Sequence, residues 1–326
     1  MWRTRRLNLG KEASWGSPVT ATAKLMGLTE ATVVPIRERA RPEEVRGSMM
    51  PHFNIIDVFH AWEADLQGIV TLEDILFPLS SVIGTGNVTP PGTGQTNYTW
   101  TFLGPTSATP TAQPFTIEWA DNVRGYQAYG GLGSQLVISA QVNQEARFRW
   151  RMRGRQITTA TPATPADRVV TPLAANLFSL SKASDAATPS YTTLAGVLRQ
   201  FELTIDNGLQ LVPTQTGALT PTAPAWQGYR ATLRLVLLHR SPDGTGVLDD
   251  FLAGNLVIVR LQSGTYYGTP AAQLTLELAA VPVAVNELFQ NADGLTAFQV
   301  ELHSRYAPQW GNWFRAVVIN NVASLP

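Results

Sequence analysis

The sequence predicts a mainly β protein: two tandem β-sandwich or half-barrel units, each with one flanking helix and long hairpins or loops. Three observations carry that expectation. Apolar residues recur with a period of two in stretch after stretch, helical patterns are few, and the two clearest helical segments resemble each other in composition and setting.

The strongest alternation is Arg147-Phe148-Arg149-Trp150-Arg151-Met152-Arg153-Gly154-Arg155, with five arginines on the odd positions. A strand presents these residues as one charged and one apolar face, whereas a helix would scatter arginine all round the cylinder. Burying unpaired guanidinium groups is costly, so the charged face must meet water, nucleic acid or carboxylates. Arginine's forked geometry suits bidentate pairing across an interface, which makes Arg147, Arg149, Arg151, Arg153 and Arg155 the candidate inter-subunit contact. The preceding 134–142 stretch alternates through Leu136, Ile138, Ala140 and Val142. A turn at Asn143-Gln144-Glu145 then joins it to the arginine strand as a long hairpin.

Further strands are expected at 229–237, 273–278, 298–302 and 313–319, with Asp206-Asn207-Gly208 and Asp293-Gly294 as turns. Helices are expected in two places. Thr71-Leu72-Glu73-Asp74-Ile75-Leu76 leads to Ile83-Gly84, and Val247-Leu248-Asp249-Asp250-Phe251-Leu252 leads to Ala253-Gly254. The early acids suit the positive end of a helix dipole and the glycine suits its end. Each follows a strand-like stretch and precedes hairpins, the pattern of an internal duplication. The units are expected at 1–156 and 193–326. Between them 157–192, rich in Thr, Ala and Pro, reads as a linker or exposed loop, and 87–113 as a long loop inside the first unit.

Composition narrows the function. Charged residues make up 15% and the formal net charge is zero, against about 25% charged in an average soluble domain. So little charge protects poorly against association and points to large buried interfaces; it is also not the basic excess of a nucleic-acid binder. Without cysteine there is neither a disulfide framework nor a thiolate metal site. No run approaches the roughly 18 apolar residues of a membrane span, and the early arginines precede no signal-like apolar core.

His52, His60, His239 and His303 fall at no established ligand spacing. The neighbouring acids Glu73/Asp74 and Asp249/Asp250 would point about 100° apart on a helix and cannot share a proton. Gly130-Gly131-Leu132-Gly133 opens a strand, so no helix N-terminus is available for a phosphate, and it reads as a hinge before the hairpin. No catalytic, cofactor or metal site is expected, and no enzymatic activity.

The opening Leu7-Asn8-Leu9-Gly10-Lys11-Glu12-Ala13-Ser14-Trp15-Gly16-Ser17-Pro18-Val19 resembles the start of tail tube proteins of long, flexible-tailed (siphovirus-type) bacteriophages. Those proteins often begin with a G-K-E-x-x-[YW]-G-[ST] phrase. Arg46-Gly47-Ser48, followed by an extended stretch into 71–84, is similar to the next part of that pattern. Phe201-Glu202-Leu203-Thr204-Ile205-Asp206-Asn207-Gly208, Gly228 before the next strand, and Asp249-Asp250-Phe251-Leu252-Ala253-Gly254 continue it.

The resemblance implies a structural virion protein that polymerises into stacked rings, forming the hollow tail tube through which viral DNA passes without sequence-specific binding. It implies blocks whose sheets join between neighbours, so that three two-block copies would make a pseudo-sixfold ring. The implied partners are further copies of the chain and tape-measure, terminator and baseplate proteins, in a virion assembled in the host cytoplasm, with no cofactor and no membrane. A tail-terminator or baseplate-hub ring, or a carbohydrate-binding tail-tip β-sandwich presenting Trp310 and Trp313, is the alternative.

Overall fold

The computed structural model describes residues 6–42, 54–106, 111–121, 123–239, 246–264, 272–292 and 294–325. Strand makes up 57% of it and helix 6%, as the period-two pattern requires. The first half contributes β1 (Arg6–Lys11), β2 (Ala23–Lys24), β3 (Leu28–Ala40), β4 (Ile56–Ile69), β5 (Asn87–Thr89), β6 (Tyr98–Leu103), β7 (Phe115–Ala120), β8 (Gly125–Gln141), β9 (Arg147–Gly154) and β10 (Gln156–Thr159). Helix α1 (Leu76–Val82) follows β4. The second half contributes β11 (Phe178–Ser184), β12 (Thr192–Leu194), β13 (Leu198–Asp206), β14 (Leu209–Val212), β15 (Ala223–Trp226), β16 (Arg230–Leu238), β17 (Val257–Ser263), β18 (Gln273–Ala292), β19 (Leu295–Ser304) and β20 (Phe314–Asn320). Helix α2 (Gly246–Ala253) follows β16.

The pairings repeat from one half to the other. A back sheet runs β2-β1-β7-β8-β10 in the first half and β12-β11-β17-β18-β20 in the second. A front sheet runs β3-β4-β9-β8 and then β13-β16-β19-β18. In each half one long strand serves both layers. The start of β8 pairs with β7 and β10 and its end with β9, while β18 begins against β17 and β20 and ends against β19.

The halves meet in the front layer. β8 pairs antiparallel with β13 from Gln135↔Asp206 to Gln141↔Gln200, so the front strands form one sheet in the order β3-β4-β9-β8-β13-β16-β19-β18. One apolar cluster spans both halves, from Trp62, Phe115 and Trp150 to Phe201, Leu235 and Phe314. Asn207 is fully buried at the seam and donates to the carbonyls of Val82 (3.1 Å) and Gly133 (2.8 Å), while its own oxygen accepts from Leu209 N. It thereby satisfies a carbonyl at the C-terminal end of α1, which that helix leaves unpaired.

Two segments differ from the composition-based expectation. The 87–113 stretch holds the β5–β6 hairpin, and β6 adds to the second half's back sheet beside β20. The Tyr98-Thr99-Trp100-Thr101-Phe102 alternation outweighs the surrounding Pro and Gly, burying Trp100 and Phe102. The 158–189 stretch contains the end of β10 and all of β11, which pairs with β17 along Phe178–Ser184. Phe178, Leu180 and Ala183 are buried within that Thr/Ala/Pro-rich composition. The residues between β10 and β11 form a strap tied to the first half: Asn8 donates to Ala163 O, Thr171 N to Glu73, and Leu173 N to Val70 O.

The 130–133 glycines mark the place where β8 leaves the back sheet for the front. Gly130 takes φ +67°, and a Cβ on Gly131 would lie 2.7 Å from the Trp62 ring. Gly154 is closer still, its absent Cβ falling 2.2 Å from Trp62 Cε2. Trp62 is fully buried and donates to Tyr129 O at 2.9 Å, so it cannot swing aside without losing that bond. We therefore expect Gly154→Ala to destabilise the fold by at least about 2 kcal/mol through overpacking, measured as a lowered urea midpoint. Gly217→Ala, where nothing lies within 4 Å, tests the cost of positive φ alone and should lose less.

Candidate assembly surface

The face of the front sheet that turns away from the core carries the arginines. In β9 Phe148, Trp150 and Met152 are buried, and Arg147, Arg149, Arg151 and Arg153 point out among their cross-strand neighbours. Register places Glu63 opposite Arg153 and Asp65 opposite Arg151 on β4. Asp65 accepts from Arg149 Nε at 2.9 and 3.0 Å and from its Nη2, and lies 3.7 Å from Arg151. Arg153 pairs with Glu63 at 3.0 Å, and Arg147 with Glu145.

The carboxylates expected from another chain are thus supplied within this one. Bonding from Arg149 outweighs the small cost of partial burial and holds the Asp65 carboxyl below the usual range. Arg155 ends differently. It lies 5.9 Å from the Trp15 ring and reaches Thr220 Oγ1 at 3.4 Å.

The charged face continues into the second half. Rows of register run Arg147–Ser139–Glu202–Arg234–Glu301 and Arg151–Gln135–Asp206–Arg230. Arg234 pairs with Glu301 at 2.9 Å and with Glu202 at 3.6 Å, and His303 meets Glu301 at 2.9 Å.

The two ends of this sheet are open. β3 pairs only with β4, and the 281–292 part of β18 only with β19, among the described residues. Large apolar side chains stand exposed along both: Val34 (49%) on β3, and Val283 (45%), Leu288 (45%) and Phe289 (74%) on β18.

The glycine-rich opening phrase has a structural role of its own. Glu12 is buried and accepts from Gly16 N, Gly130 N and Thr116 Oγ1, while Trp15 Nε1 donates to Gly130 O at 2.7 Å. The phrase therefore clamps β8 where it changes sheets. Burial nonetheless raises the Glu12 carboxyl above its ordinary value, against the pull of those bonds.

Several expectations change here. Glu73 and Asp74 precede the first turn of α1, which has no acid in it. Both are buried: Asp74 accepts from Met26 N, Gly27 N and Arg168, and Glu73 from Thr171, so the pair ties the turn to the strap. Asp249 does sit in the first turn of α2, while Asp250 pairs with Lys182 at 2.6 Å. Trp310 and Trp313, proposed as exposed glycan contacts, are buried to 6% and 7% exposure. Among the described residues no cluster of histidines and acids could hold a metal, and no helix is long and apolar enough to cross a membrane. His52 and Arg46-Gly47-Ser48 lie outside the described residues.

Sequence reading also missed Glu277. It is buried on β18 between Arg260 (2.8 Å) and Arg315, which lie on the flanking strands β17 and β20. Alternation signalled the strand, but only the sheet order brings these charges together.

Fold and surface define a class: a double β-sandwich protein whose exposed chemistry is strand edges and ion pairs. The chain belongs to the phage tail tube protein family, whose model matches residues 2–292. That family is structural, so the protein is a virion component. A comparison with curated proteins gives no match.

Desolvation pushes the Glu277 carboxyl upward, but bonds from Arg315, Arg260 and Tyr191 together hold it below its ordinary value. A carboxyl depressed in the folded state adds stability above its unfolded pKa and loses it as pH falls through the folded one. Glu277→Gln should cost about 3 kcal/mol at neutral pH by stranding two arginines, read from urea unfolding. The difference from the parent should shrink as acid protonates Glu277 below the usual glutamate range. A deficit independent of pH would show that packing, not charge, is lost. Glu12 has the opposite sign, its contribution being lost as pH rises through its raised value.

Proposed function

We propose that the chain polymerises head to tail into rings that stack into the tail tube, with the front sheet closing each ring. The observation that carries this reading is the junction inside the chain. There the last front strand of the first unit, β8, pairs with the first front strand of the second, β13. β18 and β3 hold the same two positions, last and first, at the open ends. The same antiparallel pairing between β18 of one copy and β3 of the next repeats the intrachain junction. A contact between two different patches generates a ring when its rotation closes. Closure leaves no front-sheet edge exposed and covers Val34, Val283, Leu288 and Phe289.

The resemblance to tube proteins with six units per ring supports three copies of this two-unit chain. On this reading the units lie at β1–β10 and β11–β20, joined by the strap. Further copies stack above and below, and tape-measure, terminator and baseplate proteins meet the tube in the virion.

Electron microscopy of concentrated protein should show hollow tubes of uniform width, with threefold averages for the three-copy ring. Single closed rings would point to a terminator or hub instead. Hydrogen exchange tests the edges. Amides of 28–40 and 281–290 should exchange quickly in the unassembled chain and slow in tubes, while 198–206, already paired with β8, stays protected in both. Unchanged exchange at 28–40 on tube formation would sink the edge assignment.

A further inference from the structure

We infer that the last turn of helix α2, beside the open end of the front sheet, is a docking face for the next copy of this chain, and that the exposed apolar tip of that copy's β4 covers it. The inference rests on the ring reading above and deepens it, adding a contact between side chains to the pairing of strand edges.

The internal duplication shows what covers such a helix. α1 and α2 hold the same place in their halves. Each follows the second front strand and packs on the strand that crosses between layers, α1 on β8 and α2 on β18. Their surroundings differ. All seven residues of α1 are buried, whereas Val247 is the one buried residue of α2. Leu252 is 74% exposed, and Leu248 and Phe251 are half-buried.

Part of the cover on α1 comes from across the junction. Asn207 Nδ2 and Tyr229 OH both donate to Val82 O at 3.1 Å, so residues that follow β13 and precede β16 close the last turn of α1. The strap holds the residues before the helix, through Thr171 on Glu73 and Arg168 on Asp74. α2 is likewise held near its start, where Lys182 donates to Gly246 O (2.8 Å) and pairs with Asp250. Its last turn, with Leu252, faces solvent.

Register says what that turn meets in the ring. The end of β13 lies beside the start of the front part of β8, Asp206 opposite Gln135. α1 packs at the same point, Ser81 Oγ accepting from Gly133 N at 2.6 Å. In the ring the end of β3 takes that position beside the start of the 281–292 part of β18. There Ala280 pairs with Val257, the first residue of the strand that follows α2. The β3–β4 ribbon therefore brings its tip over α2. β9 reaches only as far as Trp62 on β4, while the ribbon runs on to Ala40↔Ile56. Ile55, Ile56 and Val58 stand exposed on that tip. Arg37 and Arg39 are half-exposed there although both pair with Asp57, and they are cations suited to the negative end of a helix. Two exposed apolar surfaces at matching ends of one sheet are complementary, and hiding them favours association.

The chain has no cysteine, so introduced thiols report single contacts. Leu252→Cys should react with a small maleimide in the unassembled chain and be blocked in tubes. Combined with Ile56→Cys or with Val58→Cys, it should form disulfides between copies when tubes are oxidised. Leu252→Glu should leave the urea midpoint of the unassembled chain unchanged and raise the concentration needed for tubes on the order of tenfold. Val169→Glu, at an exposed position of the strap, should change neither. Tubes in which Leu252→Cys stays reactive, or tubes formed by Leu252→Glu at the parent concentration, overturn the α2 contact and leave the ring standing. A blocked Leu252→Cys that links to neither β4 position overturns the occupant. A parent chain that forms no tubes, with double variants that form no linked pair at any concentration, overturns both readings.

Discussion

β8 is the strand on which the rest of the molecule depends. Within Gly125–Gln141 its backbone bonds to β7 and β10 in one layer and to β9 and β13 in the other. Among the described residues no other strand of the first half couples both layers and also joins the second half. The crossing demands a sharp change of direction in a buried place. That is why glycines 130, 131 and 133 sit there, and why Trp62, Trp150 and Phe115 can close over them. The N-terminal phrase meets the same point, Glu12 receiving Gly130 N and Trp15 reaching Gly130 O. A signature that reads in the sequence as a family mark is thus a clamp on a strained crossing.

The sparse charges of the chain fall into two groups. Glu12, Glu73, Asp74, Glu118 and Glu277 are buried, and each takes bonds from backbone amides or arginines of segments distant in sequence. They are cross-links made of charge, doing in a cysteine-free chain part of what disulfides do elsewhere. Ala21 N and Ala163 N both donate to Glu118, so one carboxylate holds the N-terminal segment and the strap together. The exposed charges of the front sheet's outer face form cross-strand columns. Those pairs are partly solvated and contribute little each.

The fold class was legible because period-two alternation survives any packing arrangement, and the arginine strand was placed with its apolar side inward as read. The repeated helix marked the duplication. Three kinds of feature stayed hidden. Short strands inside biased composition, such as β6 and β11, have their alternation outweighed by neighbouring Thr, Pro and Gly. Acids beside a helix pattern look like dipole partners, yet Glu73 and Asp74 answer to a strap almost a hundred residues away, with separations of 98 and 94. The arginines' partners depend on sheet order and register, which place Asp65 beside Arg149 across 84 residues. No local spacing encodes that.

The duplication itself has a physical consequence for assembly. A single unit of this topology carries two open front edges, and every junction in its ring must be found by diffusion. In the proposed ring, joining two units in one chain converts half of the junctions into intramolecular contacts, formed at high effective concentration and without losing a second body's freedom. It also halves the number of open edges per unit, and open edges are where β proteins aggregate. Among the described residues the remaining pair of edges do not pair with each other, and lie at opposite ends of an eight-strand sheet. In the proposed ring a neighbour satisfies them. Pro35 on β3 and Pro282 on β18 remove donors from those edges, so the edge that remains is selective in register. In the proposed ring such a chain is protected from indiscriminate pairing and directed toward one partner, its own next copy.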